Sequence, residues 1–175
     1  MTRPGGRWVA NGSAKHLRAA CDASREALGV EIIDLYQLHA PDPQTLLATG
    51  VRTLSALREA GKVGAVGLCN VNPSQLRETS ALTAIDAVQV ALSPNDLTAL
   101  HGGIVEHCNE HDILLIAHFP LGGSRAAAKL LRSSAFRPAA DPAATAISWL
   151  KTIATALVPI PGTIDPAHAA AIVQT

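Results

Sequence analysis

The segment EIIDLYQLHAPDP, from Glu31 to Pro43, decides the fold class. Its first part, up to Leu38, is short and rich in apolar and β-branched side chains, which predicts a buried β-strand. His39 and Asp42 follow the strand almost at once. A buried strand that ends in polar residues is typical of a parallel sheet, where the carboxyl ends of the strands carry the functional side chains.

Four further segments repeat this pattern of a short apolar run that ends in polar or glycine residues. They are GKVGAVGLCN (61–70), IDAVQVAL (85–92), DILLIAHF (112–119) and ALVPIPG (156–162). Strands that are apolar throughout indicate a parallel sheet that is covered on both faces. The sequence therefore predicts about five parallel strands.

Amphipathic helices with recognisable ends separate these strands. Ser13 is a predicted N-cap and Gly29 a predicted helix stop, while Asn72 and Gln75 form a predicted capping box around Pro73. Two further helices are expected to start at the pairs Asp141-Pro142 and Asp165-Pro166. One helix followed by five strand–helix units predicts a parallel α/β fold in a single domain, residues 1–175. The residues alone leave open whether this sheet is an open doubly wound sheet or part of a barrel.

Composition excludes several classes of function. Lysine plus arginine and aspartate plus glutamate number 14 each, so no basic surplus indicates a nucleic-acid or anionic-membrane partner. No apolar run approaches the ~20 residues of a membrane span, and the N-terminus has no apolar stretch typical of a secretory signal. Three cysteines without disulfide or metal spacing favour a reduced, cytoplasmic setting.

Polar and glycine residues follow each predicted strand, so they are expected to gather on one rim. They are His39 and Asp42, Cys69 and Asn70, Gln89, His118 with Gly122 and Gly123, and Gly162 with Thr163. The alternative is that loops are polar in any protein, but five strand ends together favour a site. The glycine pairs suit a phosphate group, although no GxGxxG or Walker loop is present. No close-spaced ligand pair at these strand ends supports a metal site.

The same residues resemble a known family. In order and spacing, IDLYQLHAPDP, GKVGAVGLCN, VQVALS, AHFPLGG and IPGT resemble the second half of the aldo-keto reductases. These are (β/α)8 barrels that pass a hydride between NADPH and a carbonyl group. The resemblance implies an incomplete (β/α)8 TIM-type barrel whose five strands correspond to strands four to eight.

For the first three strands, the resemblance implies one catalytic and three cofactor-binding residues. His39 stands where the family histidine hydrogen-bonds the substrate carbonyl. Cys69 and Asn70 stand where a Ser-Asn pair holds the nicotinamide carboxamide, and Gln89 is retained. The Ser-to-Cys change at Cys69 weakens that hydrogen bond.

For the last two strands, the resemblance implies contacts with the rest of NADPH. His118 takes the place of the aromatic residue that stacks on the nicotinamide. Leu121 and Gly123 fall in the pyrophosphate loop, and Gly162 and Thr163 fall in the loop that reaches the adenosine phosphate.

The tyrosine, lysine and aspartate of the family mechanism have no counterpart in this sequence. Tyr36 is the only tyrosine, and side-chain alternation places it on the strand face opposite to His39. The first hypothesis is therefore an NADPH-binding homologue, related to carbonyl and alcohol oxidoreduction, that reduces poorly when alone. The alternatives are a non-redox lyase, isomerase or cyclase that uses His39, or a noncatalytic or truncated subunit. A homodimer or a partner chain is expected to cover the exposed strand edges.

Overall fold

The computed structural model describes residues 1–2, 4–133, 135 and 141–173 of the chain. Five parallel strands form one sheet in sequence order, which confirms the predicted strands. The strands are β1 (Ile33–Leu38), β2 (Val63–Cys69), β3 (Ala87–Ala91), β4 (Leu114–His118) and β5 (Leu157–Ile160). The helices are α1 (Ala14–Leu28), α2 (Leu47–Glu59), α3 (Pro73–Ser80), α4 (Thr98–His101), α5 (Ile104–Glu110), α6 (Gly123–Leu131), α7 (Pro142–Lys151) and α8 (Pro166–Val173), and a 3-10 turn spans Pro4–Gly6.

Helices α1 and α3 have the caps that the sequence predicts. The Ser13 hydroxyl accepts a hydrogen bond from the His16 amide at the start of α1, and Gly29 ends this helix in the left-handed conformation at φ 66°. At α3, the Asn72 side chain accepts from the Gln75 amide and the Gln75 side chain accepts from the Asn72 amide, both at 2.9 Å. This reciprocal pair is the predicted capping box.

The chain divides into two compact units, Met1–Val88 and Gln89–Thr175. The core of the first unit lies between the sheet and helices α1 to α3. Its fully buried side chains include Cys21, Val51, Leu54, Val66, Leu68 and Leu76. The core of the second unit is built from Leu115, Ala117, Ala146, Ile147 and Leu150, which are also fully buried.

In the first unit, strand register assigns each side chain to one of two faces. Tyr36 pairs with Val66, and Gln37 pairs with Gly67 on the opposite face. A Cβ atom at Gly67 would lie 2.9 Å from the Ala87 carbonyl oxygen and 2.9 Å from the Gln37 Cγ atom. Only glycine therefore fits between these two neighbours, which explains the glycine in the middle of β2.

In the second unit, one face of the sheet is more open than the sequence predicts. On this face Val158 pairs with Ile116, and Ile160 pairs with His118. Val158 and Ile160 are each 45% exposed, whereas Leu157, on the other face of β5, is 9% exposed. The expectation that all strands are covered on both faces is therefore wrong for β5, because this strand lies at the end of the sheet order.

Candidate functional site at the strand ends

At the ends of β1 and β2, the structure brings two predicted residues together. His39 directly follows β1 and is exposed to solvent. Asn70 directly follows β2 in the left-handed conformation at φ 57°, which asparagine tolerates better than most residues. Its side-chain amide donates a hydrogen bond to the His39 carbonyl oxygen at 3.0 Å. Asn70 therefore fixes the backbone that presents the His39 imidazole.

Cys69 occupies the position before Asn70, but it is buried. Its thiol donates a hydrogen bond to the Gln37 side-chain oxygen at 3.3 Å. Burial raises the pKa of the Cys69 thiol to about 11, so the thiol is protonated at neutral pH. Such a group can donate a weak hydrogen bond, and it is a poor nucleophile and metal ligand.

Gln37 is a neighbour of Cys69 that the sequence analysis did not identify. It lies within β1 and shares a sheet face with Gly67, its register partner. The available signal was a polar residue inside an otherwise apolar strand, two positions before His39. Because side chains two residues apart in a strand share a face, this spacing indicates the same side of the sheet as His39.

Asp42 joins two loops at the rim through hydrogen bonds to its carboxylate. One carboxylate oxygen accepts from the Gly12 amide at 2.9 Å and from the Thr45 hydroxyl at 2.8 Å, and the other accepts from the Gln44 amide at 2.9 Å. The hydrogen bond from the Gly12 amide, followed by the other two, holds the pKa of the Asp42 carboxyl below its usual range. Asp42 therefore joins the loops before α1 and after β1, and it makes a poor proton donor beside His39.

Tyr36 lies on the helix side of β1, as alternation predicts. Burial, followed by the nearby Cys21 and Asp22 of α1, raises the pKa of the Tyr36 phenol to about 12. A tyrosine that acts as a general acid near neutral pH needs the opposite shift. Tyr36 therefore cannot take the role of the family tyrosine.

In the second unit, a cavity of about 450 Å³ lies at the ends of β4 and β5. Four of the residues predicted to bind a cofactor line it: His118, Leu121, Gly123 and Gly162. The remaining lining is apolar or aromatic and includes Phe119, Pro120, Ala127, Ile160 and Pro161. Apolar walls with a few convergent backbone groups are typical of cofactor and small-molecule sites.

Helix α6 begins at the wall of this cavity without a side-chain cap. Gly122 and Gly123 are both left-handed, at φ 82° and 78°, and the Gly122 amide donates to the Phe119 carbonyl at 2.6 Å. By contrast, Asp141 caps α7 through the Ala144 amide at 2.9 Å. The first turn of α6 is therefore the helix start at this cavity that offers backbone N–H groups to an anion.

A second cavity of about 320 Å³ shares Leu121 and Gly162 with the first. Its other polar lining residues are Asp141, Thr163 and His168. The Thr163 hydroxyl accepts a hydrogen bond from the Asp165 amide at 3.1 Å, and so helps to start α8. No atom lies within 4 Å of the position of a Cβ at Gly162, which leaves open space beside both cavities.

The remaining predictions for this rim concern Gln89 and metal ligands. Gln89 lies in the middle of β3, is half-buried, and does not line either of the two cavities described above. In the described part of the chain, no group of three histidine, cysteine or acidic side chains is placed to hold a metal ion. Also within these described residues, no helix has the length and apolarity that crossing a membrane requires.

Phe119 is a lining residue that the sequence analysis did not select. Its side chain is 63% exposed and its backbone has a φ of 50°, which is rare for a bulky residue. Its ring meets the His118 ring edge-to-face, with 5.0 Å between the ring centroids. No sequence pattern predicts this conformation, because it arises from the turn that leads into α6.

Comparison with known proteins relates this geometry to one family. The model of the Aldo/keto reductase family matches residues 3–141. An aldo-keto reductase of Gibberella moniliformis is 34% identical over 110 residues, and the NADP(+) aldo-keto reductase yakc of Schizosaccharomyces pombe is 31% identical over 114 residues. The matched regions cover 63% and 64% of this chain, but only 33% and 34% of those proteins. The chain therefore spans about a third of the curated relatives that it matches.

Solved structures confirm the predicted fold class. An aldo/keto reductase from Klebsiella pneumoniae, in complex with NADP and acetate, superposes with a TM-score of 0.80 at 20% sequence identity. The match covers 93% of this chain and 60% of that one. The five-stranded sheet with its flanking helices is thus part of a (β/α)8 barrel.

Proposed function

The chain belongs to the aldo/keto reductase family, and from this membership we propose that it binds NADPH but reduces carbonyl compounds poorly when it acts alone. One observation carries the proposal. Four of the residues predicted to contact the cofactor line a single cavity at the ends of β4 and β5, beside the uncapped start of α6.

The chemistry of the second unit fits a dinucleotide phosphate. A phosphate oxygen needs hydrogen-bond donors, and the first turn of α6 supplies backbone N–H groups together with the positive end of the helix dipole. Two left-handed glycines, Gly122 and Gly123, lead into that turn. Neither has a Cβ that would stand between a ligand and the backbone. We assign the pyrophosphate to this loop and the adenosine phosphate to the loop of Gly162 and Thr163.

In the first unit, the residues at the strand ends suit polar contacts with a substrate or with the carboxamide of the nicotinamide. The exposed His39 imidazole can donate a hydrogen bond to a carbonyl oxygen. Its backbone is fixed by Asn70 at 3.0 Å. The Cys69 thiol is less available to the carboxamide than a serine hydroxyl would be, because it is buried and hydrogen-bonded to Gln37.

A weak proton donor is the reason to expect poor reduction. NADPH supplies a hydride when bound, and the developing alkoxide of a carbonyl substrate then needs an acid. Tyr36 is the only tyrosine in these 175 residues, and the pKa of its phenol is raised to about 12. Loss of a well-placed general acid costs about 10²- to 10⁴-fold in rate. The non-redox alternative is less well supported, because Asp42 is engaged in structural hydrogen bonds and does not serve as an acid partner for His39.

Titration with NADPH, followed by its fluorescence, tests the proposal. Gly162 offers a matched pair of variants, because its backbone does not require glycine and no atom lies within 4 Å of an added Cβ. Gly162→Asp adds a negative charge beside the proposed phosphate site, whereas Gly162→Asn adds nearly the same volume without charge. We expect Gly162→Asp to weaken NADPH binding roughly tenfold or more relative to Gly162→Asn.

Saturable binding by the unmodified chain, together with this charge effect, is the expected result. If the unmodified chain shows no binding up to millimolar NADPH, the proposal is wrong. If both variants bind NADPH as the unmodified chain does, the phosphates do not lie at this loop.

A further inference from the structure

Helix α8 is apolar, but its side chains are not buried. All of its residues except His168 are apolar, and none of its side chains is buried. Val173 at its end is 84% exposed, and Val158 on the preceding strand β5 is exposed as well. A helix that is apolar on all sides is normally covered by neighbouring elements. An exposed apolar surface of this kind on a folded chain indicates a contact with another molecule.

A groove of about 430 Å³ lies between α7, β5 and α8. Its walls are mainly apolar and include Ile147 from α7, Val158 from β5 and Ala169 from α8. Among the described residues that line it, only Lys151 and Thr163 carry polar side chains. Apolar walls favour an aliphatic side chain as the occupant, because a polar group would lose its hydrogen bonds to water there.

Ile164 lies beside this groove and is not packed into it. It directly follows Thr163, which lines the groove, but its own side chain does not line the groove and is fully exposed. An exposed isoleucine forgoes the favourable free energy that burial of its side chain would supply. The same surface therefore carries both a projecting aliphatic side chain and an apolar groove.

We propose that this surface is a self-association site, in which Ile164 of each copy inserts into the groove of the other copy. A two-fold dimer uses the same patch on both copies, so the patch must be complementary to itself. A patch that holds both a projection and a groove meets this condition. The interface is separate from the cavity at the start of α6, and its formation does not require NADPH.

The charges of the two parts are complementary too. Asp165 directly follows Ile164 and its side chain is 48% exposed, whereas Lys151 is an exposed residue at the groove. Insertion of Ile164 carries the Asp165 carboxylate towards the Lys151 ammonium group of the other copy. Lysine plus arginine and aspartate plus glutamate number 14 each, so no net charge keeps two copies apart. Both features favour a second copy of this chain as the occupant of the groove.

Two variants separate the projection from the groove. Ile164→Ser removes the projecting side chain and leaves the groove intact. Ala169→Leu keeps Ile164 and adds an aliphatic side chain at the groove wall, which obstructs the groove. Both positions are exposed, so the fold should tolerate either change. Leu46→Ser is the matched control, because Leu46 is an aliphatic residue that is 80% exposed in the other unit of the chain.

Native mass spectrometry and analytical ultracentrifugation of the full chain measure the dissociation constant of the dimer. We expect the unmodified chain and Leu46→Ser to form dimers with the same constant. In Ile164→Ser or Ala169→Leu both insertions are lost, so the constant should rise roughly 100-fold or more. Circular dichroism should show that both variants remain folded.

A mixture of the two variants distinguishes reciprocal insertion from other interfaces. A dimer of one Ile164→Ser chain and one Ala169→Leu chain keeps one of the two insertions, because Ile164 of the second chain meets the open groove of the first. This mixed dimer is recognised by its mass, and it should be roughly tenfold tighter than the dimer of either variant alone. Pairing along the β5 edge without insertion predicts no such preference.

Four results would overturn the inference, and each leaves the proposed function intact because none involves NADPH. The first is a clean monomer of the unmodified chain at every concentration measured. The second is a dimer whose dissociation constant does not change in Ile164→Ser. The third is a mixed dimer that is no tighter than the dimers of the single variants. The fourth is assembly beyond two copies, since reciprocal insertion closes at a dimer.

Discussion

The position of Tyr36 decides whether the single tyrosine of this sequence lies on the same strand face as His39. The simple period of a β-strand predicts that it points away from His39, and its position beside Cys21 and Asp22 of α1 agrees. That part of the site was readable from the sequence. The engagement of Asp42 was not, because it depends on Gly12, which lies 30 residues earlier in the chain.

The raised pKa of Tyr36 leads to a direct prediction. Because the folded-state pKa of about 12 exceeds the unfolded value near 10, the neutral phenol stabilises the fold below pH 10. This contribution is lost as the pH rises through about 12.

The phenolate absorbance reports on Tyr36 alone, since the chain has one tyrosine. The native protein should titrate near 12, and titration near 10 would show that Tyr36 is exposed. Tyr36→Phe should leave NADPH affinity unchanged.

At the level of elements, the ends of helices and strands follow from local chemistry. Ser13, Asn72 and Asp141 cap the helices that the sequence assigns to them. Each side-chain oxygen accepts a hydrogen bond from the backbone amide three residues later, so the cap depends only on nearby residues. The openness of β5 was not predictable in the same way. The apolar run ALVPIPG indicates a buried strand, but burial depends on neighbours that lie outside the segment.

Gly67 gives a prediction at this level. In Gly67→Ala, the new Cβ would meet the backbone oxygen of Ala87 and the Gln37 side chain, each at 2.9 Å. The backbone oxygen cannot move without a shift of β3, so we expect a loss of about 1–3 kcal/mol in the free energy of unfolding. Urea denaturation measures this loss. Gly162→Ala is the control, because its added Cβ meets no atom within 4 Å. Equal midpoints for the two variants would contradict the packing of Gly67.

At the level of the whole molecule, the order of strands is the simplest that a parallel sheet allows. Strands β1 and β5 lie at the two ends of this order. The sequence motifs predicted this partial barrel because five of them resemble the family in order and spacing. These motifs do not predict which segment or partner covers the edges of the sheet.

The edge at β5 leads to a prediction about self-association. Val158 and Ile160 are each 45% exposed, and Ile164, shortly after the strand, is fully exposed. A parallel edge strand with exposed apolar side chains tends to pair with another chain. We expect native mass spectrometry to show a dimer, and the double variant Val158→Ser with Ile164→Ser to shift it towards monomer. Trp8→Leu, a change at another exposed apolar residue, should not. A clean monomer of the unmodified chain would contradict this expectation.

The central claim is that NADPH binds at the glycine loop that starts α6. Hydrogen–deuterium exchange of the full chain, with and without NADPH, tests it most directly, because bound phosphates would slow exchange of the backbone amides that hold them. We predict protection in peptides that cover 119–126 and 160–164, and unchanged exchange in peptides from α2 and α3. Protection that is absent from 119–126 at saturating NADPH would contradict the account.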